Sequence, residues 1–192
     1  MSADIEPNES RLGLWENAYR GEPPRAVYGG ATTVRVAGGY LNRDGILSVE
    51  DWGCGLGGFK HCIGDRQHYV GLDGSQSPYA DLIVDLEKYT SSADAIHLRH
   101  VLEHNPGWSR ILANALQSFR RRMVLTIFTP FQNPTQVLAR YSNFNGTGVE
   151  MIDIGFSRDD LVRPFGDVRW FSVENIRTAT QYGIEHMFFL EK

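Results

Sequence analysis

At 192 residues, with 42% hydrophobic and 22% charged side chains, the chain has the makeup of one globular domain with a small appendage. A net charge of −4 argues against nucleic acid as a partner, and no apolar run approaches the roughly 20 residues that span a bilayer. The polar, acidic opening MSADIEPNES is unlike a secretory signal, and Cys54 and Cys62 make no disulfide framework, which together point to a reducing, cytoplasmic setting.

Residues 1–44 read as an N-terminal helical appendage. Leu12, Trp15 and Tyr19 recur at helical spacing within 6–20, and Glu22-Pro23-Pro24 ends that segment. A second helix is expected within 28–43, against the propensity of Gly38-Gly39. Residues 45–192 then alternate strands and helices, the pattern of an α/β sheet. The first strand is expected at 46–52, followed by a helix at 57–64. Further strands are expected at 68–73, 81–85 and 93–98. A helix capped by Asn105 should carry Trp108, Ile111, Leu112, Ala115, Leu116 and Phe119 on one face. It should end in Arg120-Arg121-Arg122, where cations suit the negative end of the dipole, before a buried strand at 123–128. The Asn-, Gly-, Pro- and Thr-rich stretch 131–156 reads as a long loop with some helix, of the kind that covers a site. Ser157 should cap a helix, and 169–178 with 184–191 should form an antiparallel hairpin.

The most informative stretch is Glu50-Asp51-Trp52-Gly53-Cys54-Gly55-Leu56-Gly57-Gly58. Gly53, Gly55 and Gly58 fit the dinucleotide spacing G-x-G-x-x-G, while Asp51 with Gly53, Gly55 and Gly57 fits acid-x-G-x-G-x-G. Both patterns let backbone approach a nucleotide where a Cβ would clash, and Asp73, ending the second strand, can hold ribose hydroxyls in either. Charge separates them, because a carboxylate at Asp51 repels a pyrophosphate and attracts an ammonium or sulfonium.

In this register Val49 to Gly57 resembles motif I of the class I S-adenosylmethionine-dependent methyltransferases. Val70-Gly71-Leu72-Asp73 is similar to that family's second strand, and Asp85-Leu86 to its adenine-contacting pair. Ala93 to His104, ending in Val101-Leu102-Glu103-His104, is similar to its fourth strand and the turn after it. The resemblance implies a Rossmann-like fold: a mostly parallel sheet, an antiparallel C-terminal hairpin strand and helices on both faces. It implies S-adenosyl-L-methionine as cofactor, held by Asp51, Gly53, Cys54, Gly55, Asp73, Gly74, Asp85 and Leu86. Arg99, unusual at its position, is a candidate for the cofactor carboxylate. Only Gly74 to Ala80 separates the second and third strands, so the family's connecting helix is reduced here to a turn.

His100 and His104 follow the fourth strand, at the carboxyl edge where α/β sheets place their sites, and either is a candidate general base. With Glu103 they also have the spacing of one helical turn, but no further ligand is evident and no metal is assigned. The motifs of base-directed amino methylation and of cytosine C5 chemistry are absent, which together with the acidic balance leaves a small hydroxylated molecule or a sugar unit as acceptor. Trp15, Tyr19, Tyr28 and the 131–156 loop are candidates to cover it, although packing against the sheet is the favoured reading of Trp15 and Tyr19. The expected function is therefore O-methylation. An NAD-type oxidoreductase and a non-catalytic cofactor-binding module are the alternatives, and a homodimer is admitted without evidence for it.

Overall fold

The computed structural model describes residues 12–21, 26–43 and 45–192. The expectations for residues 6–11 and for the Glu22-Pro23-Pro24 stop lie outside them. Helix α1 spans Glu16–Gly21 and α2 spans Thr32–Leu41. Strands β1 (Ser48–Trp52), β2 (His68–Asp73), β3 (Leu82–Ile83) and β4 (Ala93–Arg99) follow, then α3 (Trp108–Ser118) and β5 (Phe119–Ile127). The chain closes with β6 (Gln136–Phe144), β7 (Val149–Gly155), α4 (Arg158–Val162), β8 (Trp170–Arg177) and β9 (Ile184–Glu191).

Seven strands form one sheet in the order β3-β2-β1-β4-β5-β9-β8. β1 pairs in parallel with β2 and β4, and β9 alone runs antiparallel, inserted between β5 and β8. The Rossmann-like architecture and the antiparallel closing hairpin are thus as expected. Trp52 lies level with Leu72 on one side and Leu98 on the other, so the loops after β1, β2 and β4 open at one edge of the sheet. That register is what gathers the site.

Alternation along β1 and β4 sorts residues between two cores. Val49 and Ala95 face α2, where Val34, Ala37 and Leu41 pack with Val124, Met187 and Phe189. Trp52, Ile96 and Leu98 face the other way, onto Ile111, Leu112 and Ala115 of α3 and onto Phe156 and Leu161 beside α4. Each fully buried side chain of this size contributes about 1.5–3 kcal/mol. Helices therefore cover both faces, and α2 is part of the sheet's own core. Its two glycines differ in purpose. A Cβ on Gly38 would stand 2.6 Å from the Cβ of Cys62 and 2.7 Å from its carbonyl oxygen, whereas a Cβ on Gly39 would meet nothing within 4 Å.

Four local expectations need correction. The helix expected at 57–64 is only a 3-10 turn over Lys60–Cys62, because this segment docks its turn against Gly38 before it can lengthen. Asn105 does not cap α3: Gly107 holds that position, and the Asn105 side chain turns back to the Val101 carbonyl. Arg120–Arg122 do not end a helix but open β5. There Arg120 pairs with Asp94 at 2.8 Å and Arg122 with Glu191 at 2.9 Å, so ion pairs rather than a helix dipole explain the run. Finally, 131–156 is mostly a two-stranded antiparallel sheet, β6–β7, turned at Asn145-Gly146.

Candidate active site

The glycine turn after β1 is tied to β2, since the Gly53 and Cys54 amides both donate to the Leu72 carbonyl, at 2.7 and 2.9 Å. Gly53 has φ +79°, and a Cβ there would lie 2.3 Å from a methyl of Val101. Gly57, at φ +73°, would press a Cβ to 2.5 Å from the Tyr79 ring. The third glycine of the acid-x-G-x-G-x-G reading thus has a structural reason. Trp52 turns away from the turn to fill core, with its indole N–H donating to Glu50 at 2.8 Å.

A cavity of about 810 Å³ opens at this edge, and every site residue expected from the sequence lines it. Asp73 accepts the Gly55 amide at 2.9 Å on Oδ2 and the Ser75 amide at 2.9 Å on Oδ1. Oδ2 also accepts the hydroxyl of Tyr19 at 3.1 Å, so α1 lies over the acid expected to hold a ribose. Burial raises the Asp73 pKa, although these donors oppose it. Gly74 accepts the Gly13 amide through its carbonyl at 2.7 Å. Burial also pushes the Cys54 thiol up, away from thiolate chemistry. Asp85 accepts the Glu87 amide at 3.1 Å and pairs with Lys88 at 2.9 Å, and Leu86 is buried beside it.

Asp51 is buried, and both its oxygens are engaged. Oδ1 accepts Nδ1–H of His97 at 2.7 Å, and Oδ2 accepts the Tyr69 hydroxyl at 2.8 Å. His97 stacks on Phe59 at 3.8 Å, and its Nε2 is buried without a partner. Arg99, the candidate for the cofactor carboxylate, lines the cavity and pairs with Glu185. Its Nε and one terminal nitrogen lie 3.0 and 2.8 Å from Glu185 Oε1, and the same terminal nitrogen donates to the Tyr28 carbonyl at 2.6 Å.

The two histidines differ sharply. His100 has φ +56°, a strained setting for a residue with a side chain, and its Nε2 donates to Glu185 Oε1 at 2.6 Å. Burial and the neighbouring Arg99 push its pKa down to about 3, making it a poor base. Burial of Glu185 is outweighed by His100, Arg99 and Thr33, which hold its pKa below the usual range. His104 places Nδ1 at 2.9 Å from the Ile152 carbonyl and 3.4 Å from Asp153 Oδ1. A carbonyl only accepts, so the proton is assigned to Nδ1 and Nε2 keeps its lone pair. Burial opposes protonation of His104, but Asp153, Glu103 and the Ile152 carbonyl outweigh it, and its pKa is raised. Glu103 is fully buried, with Oε1 accepting the Phe128 amide and Oε2 unpartnered, and burial pushes its pKa up to about 7. His100, Glu103 and His104 thus turn to three different partners.

Sequence reading missed Asp153, Glu185 and His97. Their signal was an ionisable residue inside an apolar strand: Met151-Ile152-Asp153-Ile154, Ile184-Glu185-His186-Met187 and Ala95-Ile96-His97-Leu98. Asp153 and Glu185 lie outside the motif segments, and His97 lies within the fourth strand at a position to which the resemblance gives no role.

No model of a known protein family matches the sequence, and no curated protein matches it. Solved structures do. The magnesium protoporphyrin IX methyltransferase of Synechocystis PCC 6803 with bound S-adenosylmethionine is 20% identical, with a TM-score of 0.60 over 85% of this chain and 80% of that one. The N-terminal domain of EvdMO1, crystallised in the presence of S-adenosylhomocysteine and D-fucose, is 12% identical, with a TM-score of 0.61 over 96% and 99%. The 4+2 cyclase SpnF is 13% identical, with a TM-score of 0.64 over 92% and 90%. At such identities the likeness is one of fold, and the chain has the fold of the class I S-adenosylmethionine-dependent methyltransferases.

Proposed function

We propose that this protein is an S-adenosylmethionine-dependent methyltransferase that methylates an oxygen of a small hydroxylated acceptor. The observation that carries the reading is that one cavity joins the glycine turn and Asp73 at one end to His104, backed by Asp153, at the other. The residues present fit the cofactor: the backbone of the Gly53-Cys54-Gly55 turn lines the cavity, Asp73 suits a ribose, and Asp51 supplies negative charge. Asp51, Gly53, Cys54, Gly55, Asp73, Gly74, Asp85 and Leu86 would hold it. When bound, S-adenosylmethionine supplies an electrophilic methyl group.

The chain's own work is alignment and proton transfer. His104 Nε2 takes the hydroxyl proton, and Asp153 Oδ1 stabilises the imidazolium that forms. Glu185 fixes His100 and Arg99 beside it and so shapes the acceptor end without acting as base.

The dinucleotide alternative meets a structural objection. A pyrophosphate uses the N-terminus of a helix after the glycine turn, and here only a three-residue 3-10 turn follows. A cyclase such as SpnF shows that this fold also hosts other chemistry, but the proton-accepting His104 favours transfer to a hydroxyl. Titration calorimetry with S-adenosylhomocysteine, then an acceptor screen that follows its formation from S-adenosylmethionine, tests the proposal. Absence of binding at millimolar ligand would sink it.

A further inference from the structure

The acceptor's chemical class can be narrowed from the walls of the cavity's far end, on the basis of the methyl-transfer reading above. Among the described residues, three cations line the cavity, and each already has an acid. Lys88 pairs with Asp85 at 2.9 Å, Arg99 with Glu185 at 2.8 Å and Arg110 with Glu87 at 2.8 Å. An anionic acceptor would find no spare counter-charge among them, and it would approach the Asp153 carboxylate as well. Carboxylates and phosphates are therefore disfavoured on the group that is methylated.

Much of the polar capacity at this end is also committed. The Tyr182 and Tyr141 hydroxyls approach Asp153 Oδ2 at 3.1 and 3.3 Å, Gln181 is tied to the Tyr141 hydroxyl, and the Thr147 hydroxyl donates to the Phe144 carbonyl at 2.6 Å. A sugar would bring several hydroxyls and leave most of them without partners, at about 1–3 kcal/mol for each buried one. What the walls offer in quantity is ring surface. The Trp15 and Phe128 rings stand 5.4 and 5.5 Å from the His104 ring, centre to centre. Phe144 meets Trp15 edge-on at 5.9 Å, and Tyr28 meets Phe128 edge-on at 5.5 Å. Aromatic pairs of this kind add about 0.5–1.5 kcal/mol each beyond area burial.

We propose that the acceptor is an uncharged, planar aromatic compound, methylated on a ring hydroxyl and seated against Trp15, Tyr28, Phe128 and Phe144. In the step, the hydroxyl proton passes to His104 Nε2 and the ring oxygen forms a bond to the methyl carbon of S-adenosylmethionine. The carbon–sulfur bond breaks with its electron pair left on sulfur, and the proton later leaves His104 for water. The products are an aryl methyl ether, S-adenosylhomocysteine and one proton. A ring hydroxyl suits a histidine base because its conjugate anion is far more stable than that of a sugar hydroxyl.

The test is calorimetry on the whole chain saturated with S-adenosylhomocysteine, using 2-naphthol, its anionic twin 6-hydroxy-2-naphthoate, and D-fucose as probes. Binding of 2-naphthol at least tenfold tighter than either other probe, with methyl transfer to it from S-adenosylmethionine, is the expected result. Tighter binding of the naphthoate or of D-fucose would overturn the acceptor class while leaving the methyltransferase reading intact. So would an absence of 2-naphthol binding to protein that holds S-adenosylhomocysteine. Failure to bind S-adenosylhomocysteine at all would bring down both.

Discussion

As the proposed base, His104 would take a proton only when it is neutral, so its surroundings would set the acid limit of the reaction. Burial disfavours its charged form, yet Asp153, Glu103 and the Ile152 carbonyl hold its pKa above the usual imidazole value. The expected kcat/KM therefore falls as pH drops through that raised pKa. Glu103→Gln removes a buried carboxyl whose ionised form raises it, so wherever Glu103 is ionised the acid limb should move to lower pH and activity should persist further into acid. A limb that stays in place, or moves up, would contradict the assignment. His104→Gln keeps a polar side chain but no base, and kcat should fall by about 10²–10⁴. Affinity for S-adenosylhomocysteine, measured by calorimetry, should stay within about twofold, because His104 lies at the acceptor end. Asp51 makes a complementary case at the cofactor end, where His97 and Tyr69 each donate to one carboxylate oxygen. His97→Leu frees one oxygen and lets the carboxylate turn. A hydrogen bond to a charged group contributes about 1.5–3 kcal/mol, so S-adenosylhomocysteine should bind roughly tenfold or more weakly. The ligand 5′-methylthioadenosine has no ammonium, and its affinity should be unchanged. Equal losses for the two ligands would mean general damage instead.

Helix α2 shows how two adjacent glycines can carry opposite consequences. Gly38 lets the helix touch the 3-10 turn at Cys62, and Gly39 touches nothing. Gly38→Ala should destabilise by about 1–3 kcal/mol through overpacking, lowering Tm by several degrees in thermal denaturation. Gly39→Ala should raise stability by about 0.5–1 kcal/mol, because alanine has the better helix propensity. The same contact explains why the helix expected at 57–64 did not form: docking at Gly38 takes precedence over local apolar spacing. Elsewhere the parallel strands were legible as apolar runs, three of them closed by Gly53, Asp73 or Asp85. The β6–β7 hairpin was not, since Asn143 to Gly148 looks like loop composition although Asn145-Gly146 is itself a turn signal. The site divides along the same line. Its proposed cofactor half is sequential, with Asp51, Gly53, Gly55 and Asp73 in one stretch of the chain. Its acceptor half joins His104 to Asp153 and His100 to Glu185, across 49 and 85 positions, and only the sheet order brings those partners together.

At the scale of the molecule, the N-terminal segment and the sheet edge close one cavity from opposite sides. The Gly13 amide donates to the Gly74 carbonyl at 2.7 Å, the Trp15 amide to Ser75 Oγ at 2.8 Å and the Tyr19 hydroxyl to Asp73 at 3.1 Å. These bonds span 54 to 61 positions of sequence, and all of them end in the turn that carries Asp73. On the proposed reading a nucleoside seated on Asp73 lies under this strap, and contacts to Trp15 and Tyr19 would make binding and strap closure favour one another. Hydrogen exchange reads that coupling directly. With saturating S-adenosylhomocysteine, the Gly13 and Trp15 amides should exchange at least tenfold more slowly, which corresponds to about 1.4 kcal/mol of added closure. The amide of Phe188, deep in β9 and away from the cavity, reports only global opening and serves as the internal reference. Slowing of all three amides together would mean that the ligand merely stabilises the whole fold by mass action, without coupling to the strap. Slowing confined to Gly13 and Trp15 would establish that the N-terminal segment closes on the cofactor it helps to hold.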